Sequence, residues 1–151
     1  MAETPEVVDR QQEIEACFDV MAELRPHLQR EEFVAQVRAM AAEGYRLACL
    51  RHDGEVACVA GYRVATNFHL GRYLYVDDLV SAARHRGKGL GAAMLAWLRR
   101  QARAEGCRYL HLDSGTQRLG AHKFYFCQGM SIGSFHFYEP LDADPDRQAD
   151  E

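Results

Sequence analysis

No run of the chain reaches the ~18 apolar residues that a membrane-crossing helix requires. Met1 to Pro5 is followed by mixed charge, where a secretory leader would carry a basic stretch and then an apolar one. These two absences lead to the expectation of a cytoplasmic protein. An excess of positive charge is also missing: 18 Lys and Arg stand against 22 Asp and Glu, for a formal net charge of -4. Nucleic acid and anionic membranes demand a basic surface, so neither is an expected partner. The five cysteines, Cys17, Cys49, Cys58, Cys107 and Cys127, form an odd total with no CxxC spacing, which points to reduced, mostly buried thiols. His111, His122 and His136 lack the short helical spacing of a metal site, and no metal is expected. Internal repeats and a dividing linker are absent as well.

What is present is the balance of a globular protein, with 48% hydrophobic and 26% charged residues in 151. That length suits one domain, assigned to residues 1–140, followed by an acidic tail at 141–151 that is too poor in apolar residues to order itself. Ile14, Cys17, Phe18, Met21 and Leu24 recur at helical spacing and predict one helix over 9–24, closed before Pro26. Phe33, Val34, Val37, Met40 and Ala41 predict a second, closed at Gly44. Runs at 45–51 and 56–65 flank Asp53-Gly54, a strong hairpin signal, and 72–80 reads as a third strand. A long helix is predicted over 90–104, then a strand at 107–112 parallel to the strand before the helix. A short helix at 119–126 and a last strand at 132–137 complete the pattern.

Between the third strand and the long helix lies Arg84-His85-Arg86-Gly87-Lys88-Gly89-Leu90-Gly91. The first turn of a helix offers unpaired N–H groups and a partial positive charge, so an anion gains hydrogen bonds and dipole stabilisation there together. The glycines remove side chains that would hold a phosphate off the backbone, while Arg84, Arg86 and Lys88 add diffuse positive charge. Two other phosphate loops fail on spacing. The Walker pattern needs Gly-Lys-Ser/Thr, and Lys88 precedes Gly89; the dinucleotide pattern fails because its third glycine arrives one residue early.

Arg86, Gly89 and Gly91 match the Q/R-x-x-G-x-G/A pyrophosphate motif of the GNAT N-acetyltransferases. Ala121-His122-Lys123-Phe124-Tyr125, followed by Gly129-Met130, is similar to the carboxyl-terminal motif of that family. The resemblance covers roughly Tyr45 to Phe137. It implies an α/β fold with a mixed, mostly antiparallel sheet, helices on both faces, and a central parallel strand pair that splays apart around coenzyme A. It implies acetyl-coenzyme A as acyl donor and an amine of a small molecule or protein as acceptor; dimers are common among proteins of this kind. The backbone of Arg86, Gly87, Lys88, Gly89, Leu90 and Gly91 would hold the pyrophosphate, and Leu79, Val80 and Ser81 would pair with the pantetheine arm. His122 is a further candidate contact.

Acetyl transfer needs a deprotonated amine, a polarised carbonyl and a proton for the leaving thiolate. Tyr125 occupies the family's general-acid position, and a phenol of pKa about 10 carries its proton at neutral pH. For the base, Asp77 and Asp113 remain alternatives. Asp77 and Asp78 lie on the strand entering the glycine loop and by strand alternation face opposite ways, so that only one looks into the cleft. Asp113 falls twelve residues before Tyr125, as does the base in relatives that acetylate protein amino termini. Phe68, Tyr73, Tyr75, Phe135, Phe137 and Tyr138 are expected to build the core and the acceptor wall. A non-catalytic acyl-coenzyme A sensor is the alternative function, and a nucleotide-binding regulator is disfavoured by the two failed spacings.

Overall fold

The structure is a computed structural model that describes residues 3–142. The described residues form two compact units that divide between Leu112 and Asp113, and each is described by itself.

The first unit is a five-stranded sheet of order β1-β2-β3-β4-β5, with β1 at Glu6–Val8, β2 at Arg46–His52, β3 at Glu55–Asn67, β4 at Gly71–Ser81 and β5 at Tyr109–Leu112. The first three pairings are antiparallel, and β4 with β5 is parallel, as the helical crossover between them requires. His52 pairs with Glu55 across the Asp53-Gly54 turn, where both central residues take positive φ (53° and 80°) as a tight hairpin needs. Strand β1 was not foreseen, because three residues are too few to show a period.

Three helices cover one face: α1 at Gln11–Ala16, α2 at Phe18–Leu24 and α3 at Arg30–Ala41. Ile14, Cys17, Phe18, Val20, Met21, Phe33 and Val37 form one buried cluster with Tyr45, Leu47, Cys49, Val59 and Val80 of the sheet. The single helix expected over 9–24 is divided at Cys17, where the backbone tightens and the Cys17 N–H donates to Ile14 O (3.0 Å). Cys17 is fully buried there, and its thiol shares a hydrogen bond with that of Cys49 of β2; that hydrogen bond and burial push Cys17 upward in pKa, while the hydrogen bond pulls Cys49 down. The long helix α4, Leu90–Ala104, packs on the other face, with Trp97 edge-to-face on Tyr62 of β3 (5.9 Å). Met94, Leu95 and Leu98 of this helix are fully buried. All cysteines of the described residues are free, and Cys17, Cys49 and Cys58 are buried. No helix among the described residues is long and apolar enough to cross a membrane.

Phe68 does not join the core. It sits at the tip of the β3–β4 hairpin, fully exposed, while Tyr73 and Tyr75 pack edge-on against the His111 ring at 4.7 and 4.9 Å.

The second unit contains α5, Leu119–Cys127. Its end is closed by the Met130 N–H donating to Tyr125 O (3.0 Å), with Gly129 at φ 85°. The strand expected over 132–137 is not formed. Ile132, Phe135, Phe137 and Tyr138 give the segment apolar content, but a strand is defined by the pairing of its N–H and C=O groups, and no ladder forms there among the described residues. Most of the predicted tail, from 143 onward, lies outside the described residues.

Candidate active site

Strand β4 outruns its parallel neighbour. Pairing with β5 covers Tyr73 to Val76, whereas β4 continues to Ser81. From Asp77 onward its ladder is with β3 alone, so the second edge of 77–81 is open to an extended ligand within this sheet. The predicted pantetheine residues Leu79, Val80 and Ser81 all lie on that stretch.

Just beyond it come a single 3₁₀ turn, Ala83–His85, and then the glycine loop. Gly87 and Gly89 hold φ of 81° and 77°, a region that side chains disfavour, and a Cβ added to either would meet nothing within 4 Å. Gly89 is the residue before the first turn of α4 and offers no side-chain cap to it. Exposed backbone thus leads directly into a long helix, an arrangement that fits a pyrophosphate. The charges of the loop are less diffuse than the sequence suggests. Arg84 pairs with Glu55 (3.1 Å), and Lys88 Nζ turns back onto His85 Nδ1 (2.8 Å). An ammonium can only donate, so the proton of the buried His85 ring sits on Nε2, which donates to Glu55 Oε1 (2.6 Å). Arg84 first, and then His85, hold the Glu55 carboxyl below its ordinary range.

On the α1–α3 face of the sheet, two aspartates and two arginines come together. The ladder pairs Gly61 with Asp78 but Tyr62 with Val76, so Asp77 is the extra residue of a β-bulge. This overturns the expectation that Asp77 and Asp78 face opposite ways, because an inserted residue breaks the alternation. Arg63 Nε donates to both Asp77 carboxylate oxygens (3.0 and 3.2 Å), and its guanidinium lies over the Tyr45 ring (5.4 Å). The Tyr45 hydroxyl donates to Asp78 Oδ2 (2.8 Å). Arg25, just past the end of α2, donates from Nε to Asp78 Oδ1 (3.0 Å) and from Nη2 to the Asp77 carbonyl (2.9 Å). It ties the helical opening to β4 at the bulge.

Burial pushes the Asp77 carboxyl above its ordinary range and outweighs the opposing pull of Arg63. Burial, followed by the Asp78 charge, raises the Tyr45 hydroxyl well above its usual value. Gly61 is what permits the arrangement, since a Cβ there would collide with the Tyr45 phenol and an Asp78 oxygen. Tyr45, Arg25 and Arg63 had not been singled out from the sequence. A glycine inside the buried run 56–62 was the available signal, since it marks a bulge or a close approach.

Tyr125 and Asp113 belong to the second unit. Tyr125 lies in the last full turn of α5, edge-to-face with Phe124 (5.3 Å). Asp113 lies 3.5 Å from His136 Nδ1. His122 is engaged with Gly115 O through Nε2 (2.7 Å). No cluster of three or more His, Cys, Asp or Glu suited to a metal ion occurs among the described residues.

An open strand edge that runs into an unhindered glycine turn at a helix start suits an extended ligand with an anionic end. The chain belongs to the GNAT acetyltransferase family, whose model matches residues 10–130. It is an acetyl-coenzyme A-dependent N-acyltransferase. An uncharacterized N-acetyltransferase, YhdJ of Bacillus subtilis (strain 168), is 32% identical over 82% of this chain and 89% of its own length. The aminoalkylphosphonate N-acetyltransferase of Salmonella typhimurium is 30% identical over 64% of this chain and 62% of its own length. Among solved structures, an aminoglycoside N-acetyltransferase in complex with CoA aligns with TM-score 0.79 at 13% identity, over 94% of this chain and 97% of that one. It shares the fold.

Proposed function

We propose that the protein moves an acetyl group from acetyl-coenzyme A directly to a primary amine of a small molecule. The observation that carries this reading is the open backbone at Gly87 and Gly89, which continues the unpaired edge of β4 into the start of α4. A small-molecule acceptor is supported by the relatives, since the Salmonella protein is named for aminoalkylphosphonate and a structural neighbour was solved with an acetylneamine bisubstrate analogue.

In this mechanism the N–H groups from Arg86 to Gly91 hold the pyrophosphate. Lys88 contributes through its backbone, because its side chain is engaged with His85. Leu79, Val80 and Ser81 pair with the pantetheine arm in the manner of an added strand. Bound there, acetyl-coenzyme A supplies an activated carbonyl and a thiolate leaving group. Asp77 or Asp113 takes a proton from the incoming ammonium, directly or through water, since an alkylamine of pKa about 10.4 is mostly charged at neutral pH. The raised pKa of Asp77 suits it to that task. The C–N bond forms as the C–S bond breaks, and Tyr125 gives its phenolic proton to the departing sulfur.

Calorimetric titration with acetyl-coenzyme A tests the coenzyme site. Micromolar binding is expected for the parent, and its loss is expected in Gly89→Glu, which sets a carboxylate against the pyrophosphate position. A parent that does not bind would remove the coenzyme site from this loop. Tyr125→Phe is expected to lower kcat by roughly 10²-fold or more, the usual range for a lost general acid, with affinity for the coenzyme retained. Equal rates would take Tyr125 out of the mechanism.

A further inference from the structure

The ion pair at the bulge of β4 carries information about the acceptor. Arg63 uses only Nε on Asp77; its two Nη groups donate to no described residue. The pair is held from beneath. Tyr45 is 4% exposed, with its hydroxyl fixed by Asp78, and its ring is the floor on which the guanidinium rests. Arg25 is directed inward onto Asp78 and the Asp77 carbonyl. What remains facing outward is the Nη edge of Arg63, whose side chain is 32% exposed, beside an Asp77 side chain 21% exposed. A fixed cation and a fixed anion therefore sit side by side, two residues before the strand segment assigned to the pantetheine arm.

An acceptor that carries only an ammonium gains attraction from Asp77 but meets repulsion from the adjoining guanidinium. An acceptor with an acid group two or three bonds from its amine meets neither difficulty. Its carboxylate or phosphonate takes the fork of Nη N–H groups, which suits a planar or tetrahedral oxyanion better than an ammonium would. Its amine is then delivered to Asp77. We infer that the acceptor is a small amino acid or aminophosphonate, with Arg63 as the residue that recognises the acid and Asp77 as its neighbour for the amine. This inference rests on the acetyl-transfer reading.

The test is a matched panel, β-alanine, aminomethylphosphonate, propylamine and 1,4-diaminobutane, assayed for thiol release with acetyl-coenzyme A. In the parent, kcat/KM for the better acid-bearing acceptor should exceed that for propylamine by about tenfold or more, the scale of one charge-assisted bidentate contact. In Arg63→Gln this ratio should fall to within about threefold of unity, chiefly through KM. Arg63→Lys, which keeps the charge but not the fork, should fall between. A parent ratio near one, a preference for the diamine, or a ratio that Arg63→Gln leaves unaltered would overturn the inference while acetyl transfer stands. No coenzyme binding, or no thiol release with any amine, would take both readings down.

Discussion

Asp77 is a carboxylate held partly out of water beside a second carboxylate, and Arg63 does not fully offset that cost. Its folded-state pKa is therefore above its unfolded one. Between those two values the native chain binds more protons than the unfolded chain, so stability falls as pH rises across that window. Asp77→Asn removes the titration and keeps an oxygen acceptor for Arg63 Nε. The gain in melting temperature of this variant over the parent should then grow as pH rises from the acid side of the ordinary carboxylate range towards neutrality. A gain that shrinks as pH rises would mean that Arg63 dominates the environment of Asp77. The presence of an acid near the cleft was legible from Asp77-Asp78 at the end of a strand. Its partners were not, because Arg25 and Arg63 lie far from it in sequence and meet it only through the fold.

Strand β3 shows how one residue conditions an element. Within the buried stretch 56–62, Gly61 alone leaves room for the Tyr45 phenol to reach Asp78 where β4 bulges. Gly61→Ala forces apart the Tyr45 ring, the Asp78 carboxylate or the strands themselves. The expected loss is roughly 2 kcal/mol or more, combining overpacking with a weakened buried hydrogen bond, read as a lowered urea midpoint. An unchanged midpoint would show that the bulge can relax at no cost. The long elements were legible because their periods extend over many residues, as in α4 with Met94, Leu95, Leu98 and Ala102 buried. The break at Cys17 was not, since the apolar spacing runs through it and the hydrogen bond from Cys17 across to Cys49 of β2 is a contact distant in sequence.

Over the first unit, protection from water is graded across the sheet. Ala57, Cys58, Val59 and Ala60 of β3 are fully buried between β2 and β4, whereas β1 is three residues long on an edge. Native-state hydrogen exchange should place the slowest amides in β3 and opening events of low free energy in β1. Equal protection in the two strands would contradict that gradient. The same sheet carries the proposed coenzyme site: β4 extends beyond β5 by the residues that lead into the glycine loop, so the open edge is a consequence of unequal strand lengths.

Local pattern was enough for most helices and strands, for the Asp53-Gly54 turn, for the parallel crossover and for the glycine loop at the start of α4, because each depends on residues close together in the chain. The same local logic overreached at 132–137, where apolar and aromatic content alone cannot supply the partner that makes a strand. Only the tertiary structure decided the bulge that turns Asp77 and Asp78 to one face, the pairing of Arg63 and Arg25 with them, and the turning of Lys88 onto His85. Each of these depends on ladder register or on where a long side chain finds its counter-charge, and neither quantity has a period that can be read along a chain.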